Sequence, residues 1–253
     1  MAYLHGKFVW FEHWSGAMEP ARRFYRELLG WNSEAIPMGN NRYHMIQSGG
    51  QGIGGFMAAP AGMPAQWVSY LSVPDVDGAA SKVASAGGRV TMPPTDFAPA
   101  GRASGVQDPQ GAAFSLWRGA EGDRPDMERV APGDWYWNEC CTSDNRAALA
   151  FYETVFGYTH EAMDMGPQGT YYILMRDGVA RGGLMNTPAG GPPPYWQPYV
   201  SVADCDAACA KAQKLGAKVM VPPTDIPGEV GRFTLLVDPA GAMIGLIKGR
   251  HTG

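Results

Sequence analysis

The stretch ARRFYRELLGW at Ala21–Trp31 recurs as ALAFYETVFGY at Ala148–Tyr158, and this repeat is the main evidence for the fold. The offset between these two copies is 127 residues (148 − 21). Further matches follow in the same order, namely YLSVPDVD from Tyr70 with YVSVADCD from Tyr199, PPTD from Pro93 and Pro222, GR from Gly101 and Gly231, and DPQGA from Asp108 with DPAGA from Asp238. The offset is still only 130 at the last pair (238 − 108), which indicates two copies of a whole domain rather than a short solenoid repeat.

A smaller pattern of one strand, one helix and three strands repeats within each copy. Lys7–Trp14 alternates like a strand, and Glu19–Leu29 has apolar residues at helical spacing before Gly30. Three more helices are predicted, at Val76–Ala86, Arg146–Phe156 and Asp206–Leu215. The other strands of the first copy are predicted near Tyr43–Gln47, Ile53–Ala58, Trp67–Val73, Arg89–Met92, Ala103–Gln107 and Ala112–Trp117. The sequence therefore predicts an α+β fold of four βαβββ units.

Composition and charge exclude several classes of protein. Of the 253 residues, 45% are hydrophobic and 17% are charged, so the chain can bury a core and is not intrinsically disordered. The net charge of −4 and the lack of a basic run argue against a nucleic-acid partner. Neither an apolar stretch of about 18 residues nor a signal-peptide pattern is present, so we expect a soluble, cytoplasmic protein without a membrane partner.

The repeat also predicts the domain organisation. We expect a first domain at residues 1–118, a linker at 119–133 that carries Gly, Asp, Arg and Pro without apolar periodicity, and a second domain at 134–253. The chain is expected to be a monomer with two pseudo-symmetric domains or a homodimer. All four cysteines lie in the second half, which is a poor disulfide framework for the whole chain, so we expect reduced thiols.

These motifs resemble those of the vicinal oxygen chelate superfamily, which includes glyoxalases, bleomycin-resistance proteins and extradiol dioxygenases. The shared features are the first strand, the helix around FYRELLGW, the VPDVD helix start and the closing strand after DPQGA, each of which occurs twice. The chain is most similar to the two-domain glyoxalase-like and hydroxylase-like branch, whose W-x-E motif matches Trp10-Phe11-Glu12 and Trp137-Asn138-Glu139. The resemblance implies two tandem cups, each with a ligand or metal on its concave face.

The resemblance also implies where metal ligands would lie, and the residues at those positions are poor ligands. The first-strand position falls at Trp10 and Trp137, the fifth-strand position near Val68 and Gln197, and the closing-strand position at Ser115 and Gly245. The fourth strand carries Gly54-Gly55 and Gly182-Gly183. A divalent cation requires several carboxylate, imidazole or thiolate ligands. We therefore expect no metal cofactor, with a divalent metal at other positions as the alternative.

Strand alternation predicts what lines the cups instead of metal ligands. Trp10, Glu12 and Trp14 share one strand face, as do Trp137, Glu139 and Cys141. Tyr70, Tyr199 and Trp117 fall on the predicted cup faces of their strands, and His44 is a further candidate for ligand binding. The neighbour of Glu12, His13, points the other way and is predicted to be a core residue. This composition, with flat apolar walls and few polar groups, is typical of a pocket for an organic ligand.

Three hypotheses about function remain at this point. The first is a metal-independent protein that binds a small aromatic or cationic molecule, either to sequester it or to transform it with Glu12 or Glu139 as general acid or base. The second is a divalent-metal-dependent lyase or dioxygenase with ligands such as His44, Glu12 or Glu139. The third is a non-catalytic binding or scaffolding module in which both glutamates are structural. Cys141 is the one plausible nucleophile.

Overall fold

The computed structural model of the protein describes residues 2–38, 41–188 and 190–253. The first half contains two helices, α1 (Met18–Leu29) and α2 (Val76–Ser85), and the second half contains α3 (Asn145–Phe156) and α4 (Cys205–Lys214). The strands of the first half are β1 (Phe8–Ser15), β2 (Asn32–Met38), β3 (Asn41–Ser48), β4 (Gln51–Ala58), β5 (Gln66–Ser72), β6 (Arg89–Phe97), β7 (Gly101–Gln107) and β8 (Ala113–Gly119). Those of the second half are β9 (Trp135–Thr142), β10 (Thr159–Asp164), β11 (Thr170–Arg176), β12 (Val179–Asn186), β13 (Tyr195–Ser201), β14 (Lys218–Ile226), β15 (Gly231–Val237) and β16 (Met243–Gly249).

Each sequence half forms one eight-stranded sheet, and the two sheets have the same topology. The strand order is β2-β3-β4-β1-β5-β8-β7-β6 in the first half and β10-β11-β12-β9-β13-β16-β15-β14 in the second. The β1–β4 and β9–β12 pairs are parallel, whereas the β3–β4 and β11–β12 hairpins are antiparallel. In the part of the chain that the structure describes, sixteen strands and four α-helices in this order confirm the predicted α+β fold of four βαβββ units.

Most predicted elements lie within a few residues of the observed ones, and β2 is the clear omission. Its sequence, NSEAIPM, has no regular alternation of apolar and polar residues. The strand is at the edge of its sheet, where one side of the backbone has no partner strand, so packing imposes little pattern on it. Among the described residues, no helix is both long enough and apolar enough to cross a membrane.

The chain divides into two compact units, and each unit takes segments from both sequence halves. Unit 1 consists of the described parts of Met1–Val9, Ser69–Asp126 and Asn138–Trp196. Unit 2 consists of the described parts of Trp10–Val68, Met127–Trp137 and Gln197–Gly253. Within unit 1, α2 contacts α3, and within unit 2, α1 contacts α4.

A buried hydrogen-bond network in unit 2 explains two of the repeated motifs. Tyr25 of the FY motif donates its hydroxyl to Asp238 Oδ2 at 2.8 Å, although the two residues are 213 positions apart. His13 Nε2 lies 2.8 Å from the same carboxylate oxygen, and Trp67 Nε1 donates to the Tyr25 hydroxyl at 3.1 Å. The other oxygen, Oδ1, accepts backbone N–H groups from Ala240, Gly241 and Ala242. The network therefore joins the two sequence halves inside one unit.

Unit 1 contains the same network with one substitution. Tyr152 donates to Asp108 Oδ2 at 3.0 Å, and Trp196 Nε1 donates to the Tyr152 hydroxyl at 3.0 Å. The position equivalent to His13 is Cys140, 127 residues later (140 − 13), whose buried thiol bonds to Tyr152 instead of to the carboxylate. Asp108 thus has one side-chain partner where Asp238 has two.

This substitution shifts the pKa values of the two aspartates in opposite directions. Burial raises the pKa of Asp108 above its ordinary value of 3.8, and hydrogen bonds from Ala112 N–H and Tyr152 only partly offset that effect. Burial acts on Asp238 in the same way, but His13 lowers the pKa through a hydrogen bond and electrostatic attraction. With the hydrogen bonds from Tyr25 and Ala242, these interactions hold the pKa of Asp238 below 3.8. The two carboxylates therefore contribute to stability over different pH ranges.

The opposite shifts predict opposite pH dependences for two matched variants. Because the folded pKa of Asp108 is raised, its contribution to stability is full below pH 3.8 and is lost as the pH rises through the folded pKa. The contribution of Asp238 is present above pH 3.8 and is lost as the pH falls through its depressed folded pKa. We expect the advantage of wild type over Asp108→Asn to shrink as the pH rises, and its advantage over Asp238→Asn to shrink as the pH falls. Urea unfolding of wild type and both variants from pH 3 to 7 gives the stability difference for each variant as a function of pH. If the two differences changed with pH in the same direction, the opposite pKa shifts would be wrong.

Two exposed arginine clusters account for the repeated PPTD and GR motifs. Arg102 contacts Asp77 of α2 with two nitrogens, at 2.7 and 2.8 Å, and Asp96 of β6 at 2.8 Å. Arg232 makes the same contacts with Asp206 of α4 and Asp225 of β14. Each arginine thereby links the first turn of a helix to the edge strand of its sheet, which is a structural role.

Candidate functional site

The W-x-E motif of the first half lies in a group of residues that we call the Glu12 cluster: Trp10, Glu12, Trp14, Tyr43 and Gly55. Because β1 and β4 pair with Glu12 opposite Gly55, these two residues share one face of the sheet. Trp14 Nε1 donates to Glu12 Oε2 at 2.9 Å, and Trp10 Nε1 donates to the Tyr43 hydroxyl at 2.7 Å. The Tyr43 hydroxyl lies over Gly55 so closely that a Cβ atom on that glycine would overlap it. Only 8% of Glu12 is exposed, and its carboxylate is bonded to the Trp14 ring.

The second half contains a similar group, the Glu139 cluster: Glu139, Cys141, Tyr171, Gly183 and Tyr195. Glu139 pairs with Gly183 across the parallel strands β9 and β12, and it is also only 8% exposed. Tyr171 covers Gly183 with its hydroxyl as Tyr43 covers Gly55. Cys141 takes the place of Trp14, and its sulfur lies 3.8 Å from Glu139 Oε1. The smaller side chain leaves room for Tyr195, whose hydroxyl bonds to the Cys141 sulfur.

The aromatic residues of β5 and β13 lie beside the last strand of each sequence half, β8 and β16 respectively. Tyr70 pairs with Ser115 across β5 and β8, and its ring centroid is 6.1 Å from that of Trp117. Tyr199 pairs with Gly245 across β13 and β16, where its ring occupies the position that a Cβ of Gly245 would take. Trp137 lies on β9, on the strand face that alternation assigns to Glu139 and Cys141.

Cys141 does not have the properties of a nucleophile. Burial raises its pKa far above the ordinary value of 9.0, and the nearby charge of Glu139 raises it further. The thiolate is the reactive form of cysteine, so a thiol held protonated between Glu139 and Tyr195 is inert at neutral pH. All four cysteines are buried and free, as expected from the sequence.

His44 is the predicted site residue that the structure separates from the others. It pairs with Phe56 across β3 and β4, and Phe56 pairs with His13 across β4 and β1. Paired residues share a face, so His44 lies on the opposite face from Glu12. Burial and the positive charge of Arg22 lower the pKa of His44, and the negative charge of Glu19 opposes them only in part. Arg22 and Glu19 both lie on α1, which agrees with a position of His44 on the helix side. The physical reason is the register of β3, which sequence alternation alone did not determine.

His13 is a fully buried core residue, and its role goes beyond packing. Its ring lies 5.8 Å from that of Tyr25 and 5.1 Å from that of Trp67, on the side of the sheet away from Glu12. The pairing with Asp238 could not be anticipated, because nothing local to His13 indicates which carboxylate it meets.

Sequence reasoning missed the three tyrosines of the two clusters, Tyr43, Tyr171 and Tyr195. A signal for the first two was present, since each lies on the strand before a Gly-Gly pair and the two are related by an offset of 128 residues (171 − 43). A glycine pair beside a tyrosine on a neighbouring strand is where a ring can lie flat against the sheet. Tyr195 had no such signal, because its counterpart in the first half is Gln66.

The residues at the metal positions implied by the family do not fit a metal. Gly55, Gly183 and Gly245 are each covered by a tyrosine, which occupies the space that a glutamate side chain would need. Gln197 is the closest to a ligand, since its buried Oε1 has no partner among the described residues, but an amide oxygen alone does not hold a divalent cation. Among the described residues, no group of three or more His, Cys, Asp or Glu side chains is arranged to bind a metal ion.

Comparison with known families and proteins gives consistent matches along the chain. The model of the "Glyoxalase/Bleomycin resistance protein/Dioxygenase superfamily" matches residues 7–116 and again residues 138–246. "Putative glyoxylase CFP32" of Mycobacterium bovis is 37% identical over 252 residues, which cover 97% of this chain and 96% of that protein. "Anthracycline biosynthesis protein DauV" of Streptomyces sp. is 30% identical over 271 residues, with coverage of 98% and 95%.

Solved structures share the fold at low sequence identity. The Mn(II)-bound glyoxalase from Novosphingobium aromaticivorans aligns with a TM-score of 0.68 at 16% identity, over 96% of this chain and 82% of that one. The 2,2',3-trihydroxybiphenyl 1,2-dioxygenase from Sphingomonas wittichii aligns with a TM-score of 0.67 at 15% identity, over 98% and 91%. At such identities the likeness concerns the fold alone.

Proposed function

Because the chain belongs to the Glyoxalase/Bleomycin resistance protein/Dioxygenase superfamily, we propose that it binds a small planar organic molecule at the Glu12 cluster and at the Glu139 cluster, without a metal ion at the inherited positions. The observation that carries the proposal is the placement of tyrosines over the glycines of β4, β12 and β16. Where a metal-dependent relative needs ligating side chains, this chain has an aromatic surface.

Each cluster combines the two properties that such a ligand requires. Tryptophan and tyrosine rings offer flat apolar contact area, which favours stacking with a planar molecule. One carboxylate per cluster, Glu12 or Glu139, offers an acceptor for a hydrogen bond or a partner for a positive charge in surroundings of low polarity. A planar ligand with a cationic substituent satisfies both.

The names of relatives support a planar ligand over a small aliphatic one. The Streptomyces relative is called an anthracycline biosynthesis protein, and it matches 98% of this chain. Anthracyclines consist of fused flat rings and carry an amino sugar, so they combine an aromatic face with a positive charge. For this chain we propose only the class of ligand, a planar and cationic compound, and not a role in anthracycline biosynthesis.

The test compares a charged ligand with its uncharged counterpart. We expect an anthracycline to bind in isothermal titration calorimetry, and the double variant Glu12→Gln with Glu139→Gln to bind it about 10-fold more weakly or worse, since a hydrogen bond to a charged group contributes about 1.5–3 kcal/mol. The aglycone, which lacks the amino sugar, should bind wild type and the double variant equally. Glu121→Gln, an exposed glutamate in the loop after β8, serves as the matched control and should change nothing.

Two results would contradict the proposal. One is an anthracycline affinity that the double variant leaves unchanged, which would remove both glutamates from the site. The other is stoichiometric binding of Mn²⁺, Fe²⁺, Ni²⁺ or Zn²⁺ to the wild-type protein that is lost in the same double variant. That outcome would make the glutamates metal ligands and favour a lyase or dioxygenase.

A further inference from the structure

A groove in unit 1 lies on elements that the two clusters do not use. It has a volume of about 310 Å³, at the lower end of the roughly 300–1,000 Å³ of small-molecule sites. The groove runs between the start of α2 and the end of α3. The polar residues that line it are His5, Ser72, Asp75, Lys82, Thr154 and Arg176. Apolar side chains complete the walls, including Val73, Pro74, Val155 and Phe156.

The duplication provides an internal comparison, because unit 2 contains the equivalent helices. There, Lys211 reaches across and donates its ammonium to the Leu28 carbonyl at the end of α1, at 3.3 Å. A cation at this point satisfies unpaired carbonyls at a helix C-terminus and suits the negative end of the helix dipole. In unit 2 the lysine therefore occupies the space between the two helices.

In unit 1 an arginine, and not the equivalent lysine, bonds to the carbonyls at the end of the corresponding helix. Arg176 donates to the carbonyls of Phe156 and Gly157 at the end of α3. The residue that corresponds to Arg176 in unit 2 is Ser48, by the offset of 128 that relates Tyr43 to Tyr171, and a serine has no charge. Lys82 is the counterpart of Lys211 by an offset of 129. Because Arg176 bonds to the end of α3, Lys82 does not have the role that Lys211 has at the end of α1. The structure gives its ammonium no acidic partner among the described residues.

Two more residues of the groove differ between the units. Gly78 stands where unit 2 has Ala207, and a Cβ at Gly78 would overlap the Asp75 carboxylate. His5 stands where unit 2 has Pro132, and its buried Nδ1 has no protein partner among the described residues. Lys82 and Arg176 are cations in the groove lining, and Asp75 is its one lining carboxylate, which already accepts the Asp77 N–H as the cap of α2. Arg176 also pairs with Asp177 at 3.6 Å, so Lys82 carries the uncompensated positive charge.

We propose that this groove is a second binding site, specific to unit 1, for a small organic anion with a carboxylate and a short apolar body. Its carboxylate contacts the Lys82 ammonium, with the Arg176 guanidinium adding positive charge. Its apolar part lies against Val73, Val155 and Phe156. The site is independent of the proposed function at the Glu12 and Glu139 clusters.

The experiment uses two probes of equal size and opposite charge, butyrate and butylammonium, added to the full chain. In ¹H–¹⁵N TROSY spectra, butyrate should shift the amide signals of Gly6, Gly78 and Gly157 in a saturable manner, and butylammonium should not. Lys82→Gln should weaken butyrate binding about 5-fold, as expected for loss of one partly exposed ion pair. Lys211→Gln is the matched control in unit 2 and should leave the affinity unchanged.

A second variant tests the shape of the groove rather than its charge. Gly78→Ala introduces the side chain that unit 2 has at Ala207, and we expect it to abolish the saturable shifts at Gly6 and Gly157. The proposal is overturned if butyrate causes no saturable shift at the groove, if butylammonium binds equally well, or if Lys82→Gln and Lys211→Gln have the same effect.

Discussion

Replacing Asp238 by alanine is expected to lower the free energy of unfolding by about 3–5 kcal/mol, the range for breaking a buried charged pair by removing one partner. The substitution removes the acceptor of five hydrogen bonds, three from the backbone of its own loop and one each from Tyr25 and His13. The donors of Tyr25, His13 and Ala242 are buried and lose their acceptor in the interior, where an unsatisfied donor is costly. The N–H groups of Ala240 and Gly241 are only partly buried, so water can replace the carboxylate there. Urea unfolding monitored by circular dichroism measures the loss.

Asp108→Ala in unit 1 is the matched control for this prediction. The same backbone and tyrosine donors lose their acceptor there, but no histidine is left behind, since Cys140 replaces it. Burial also penalises the ionised form of Asp108, as its raised pKa indicates. Removing this carboxylate should therefore lower the free energy of unfolding by less than removing Asp238. We expect about 1–3 kcal/mol for Asp108→Ala. Equal losses at Asp108 and Asp238 would show that His13 adds nothing to the network.

Replacing Trp67 by alanine is the second change with a large expected effect, again about 3–5 kcal/mol. Only 6% of this side chain is exposed. Its ring lies 5.4 Å from Tyr25, 6.0 Å from Trp31 and 5.1 Å from Trp135, in an aromatic core of unit 2. Alanine would leave a cavity among rigid rings that cannot easily close it, and the Tyr25 hydroxyl would lose its donor. Thermal and urea unfolding measure the change.

Two controls separate packing from a role at the ligand. Trp67→Phe keeps most of the ring volume and should cost much less than Trp67→Ala, because a volume-conserving replacement leaves a smaller void. Trp14→Ala removes a half-buried tryptophan of the Glu12 cluster and should affect anthracycline binding more than stability. If Trp67→Ala instead left stability unchanged and abolished anthracycline binding, Trp67 would belong to the ligand site.

The Tyr–Asp hydrogen bonds of the network link the two sequence halves within each unit. In both units, an aspartate from one sequence half bonds a tyrosine from the other half, so neither half contains a complete network. The buried Tyr–Asp bonds lie within the units, whereas each eight-stranded sheet belongs to a single half. Separately expressed halves would therefore lack both buried Tyr–Asp hydrogen bonds.

Much of the fold could be predicted because its signals are local. The 3.6-residue spacing of apolar residues before Gly30 and Gly157 predicts α1 and α3, since a helix that packs on a sheet needs one apolar stripe. Alternation along a strand predicted that Glu12 and Trp14 share a face, and their hydrogen bond agrees with it. The sequence also predicted that His13 points away from Glu12.

The position of His44 could not be predicted, because a shift of one residue in strand register moves a side chain to the opposite face. Nor could alternation identify Tyr43 and Tyr171 as members of the clusters, since their rings reach over glycines of a neighbouring strand. Such contacts depend on which strands pair and how they are aligned, which is a property of the sheet and not of one strand.

The duplication, the four βαβββ units, the two glutamates on strand faces with aromatic residues and the family can all be recognised from the sequence. The strand faces and helices follow from residue types at short spacings, for which backbone geometry dictates which side chains share a face. The duplication and the family follow from motifs that recur in the same order. Three contacts become visible only in the folded structure: the pairing of Asp238 with His13 and Tyr25, the tyrosines over Gly55, Gly183 and Gly245, and the bonds from Arg176 to the end of α3. These contacts join residues far apart in the chain, and only the packing of whole elements determines which distant groups come within hydrogen-bond distance.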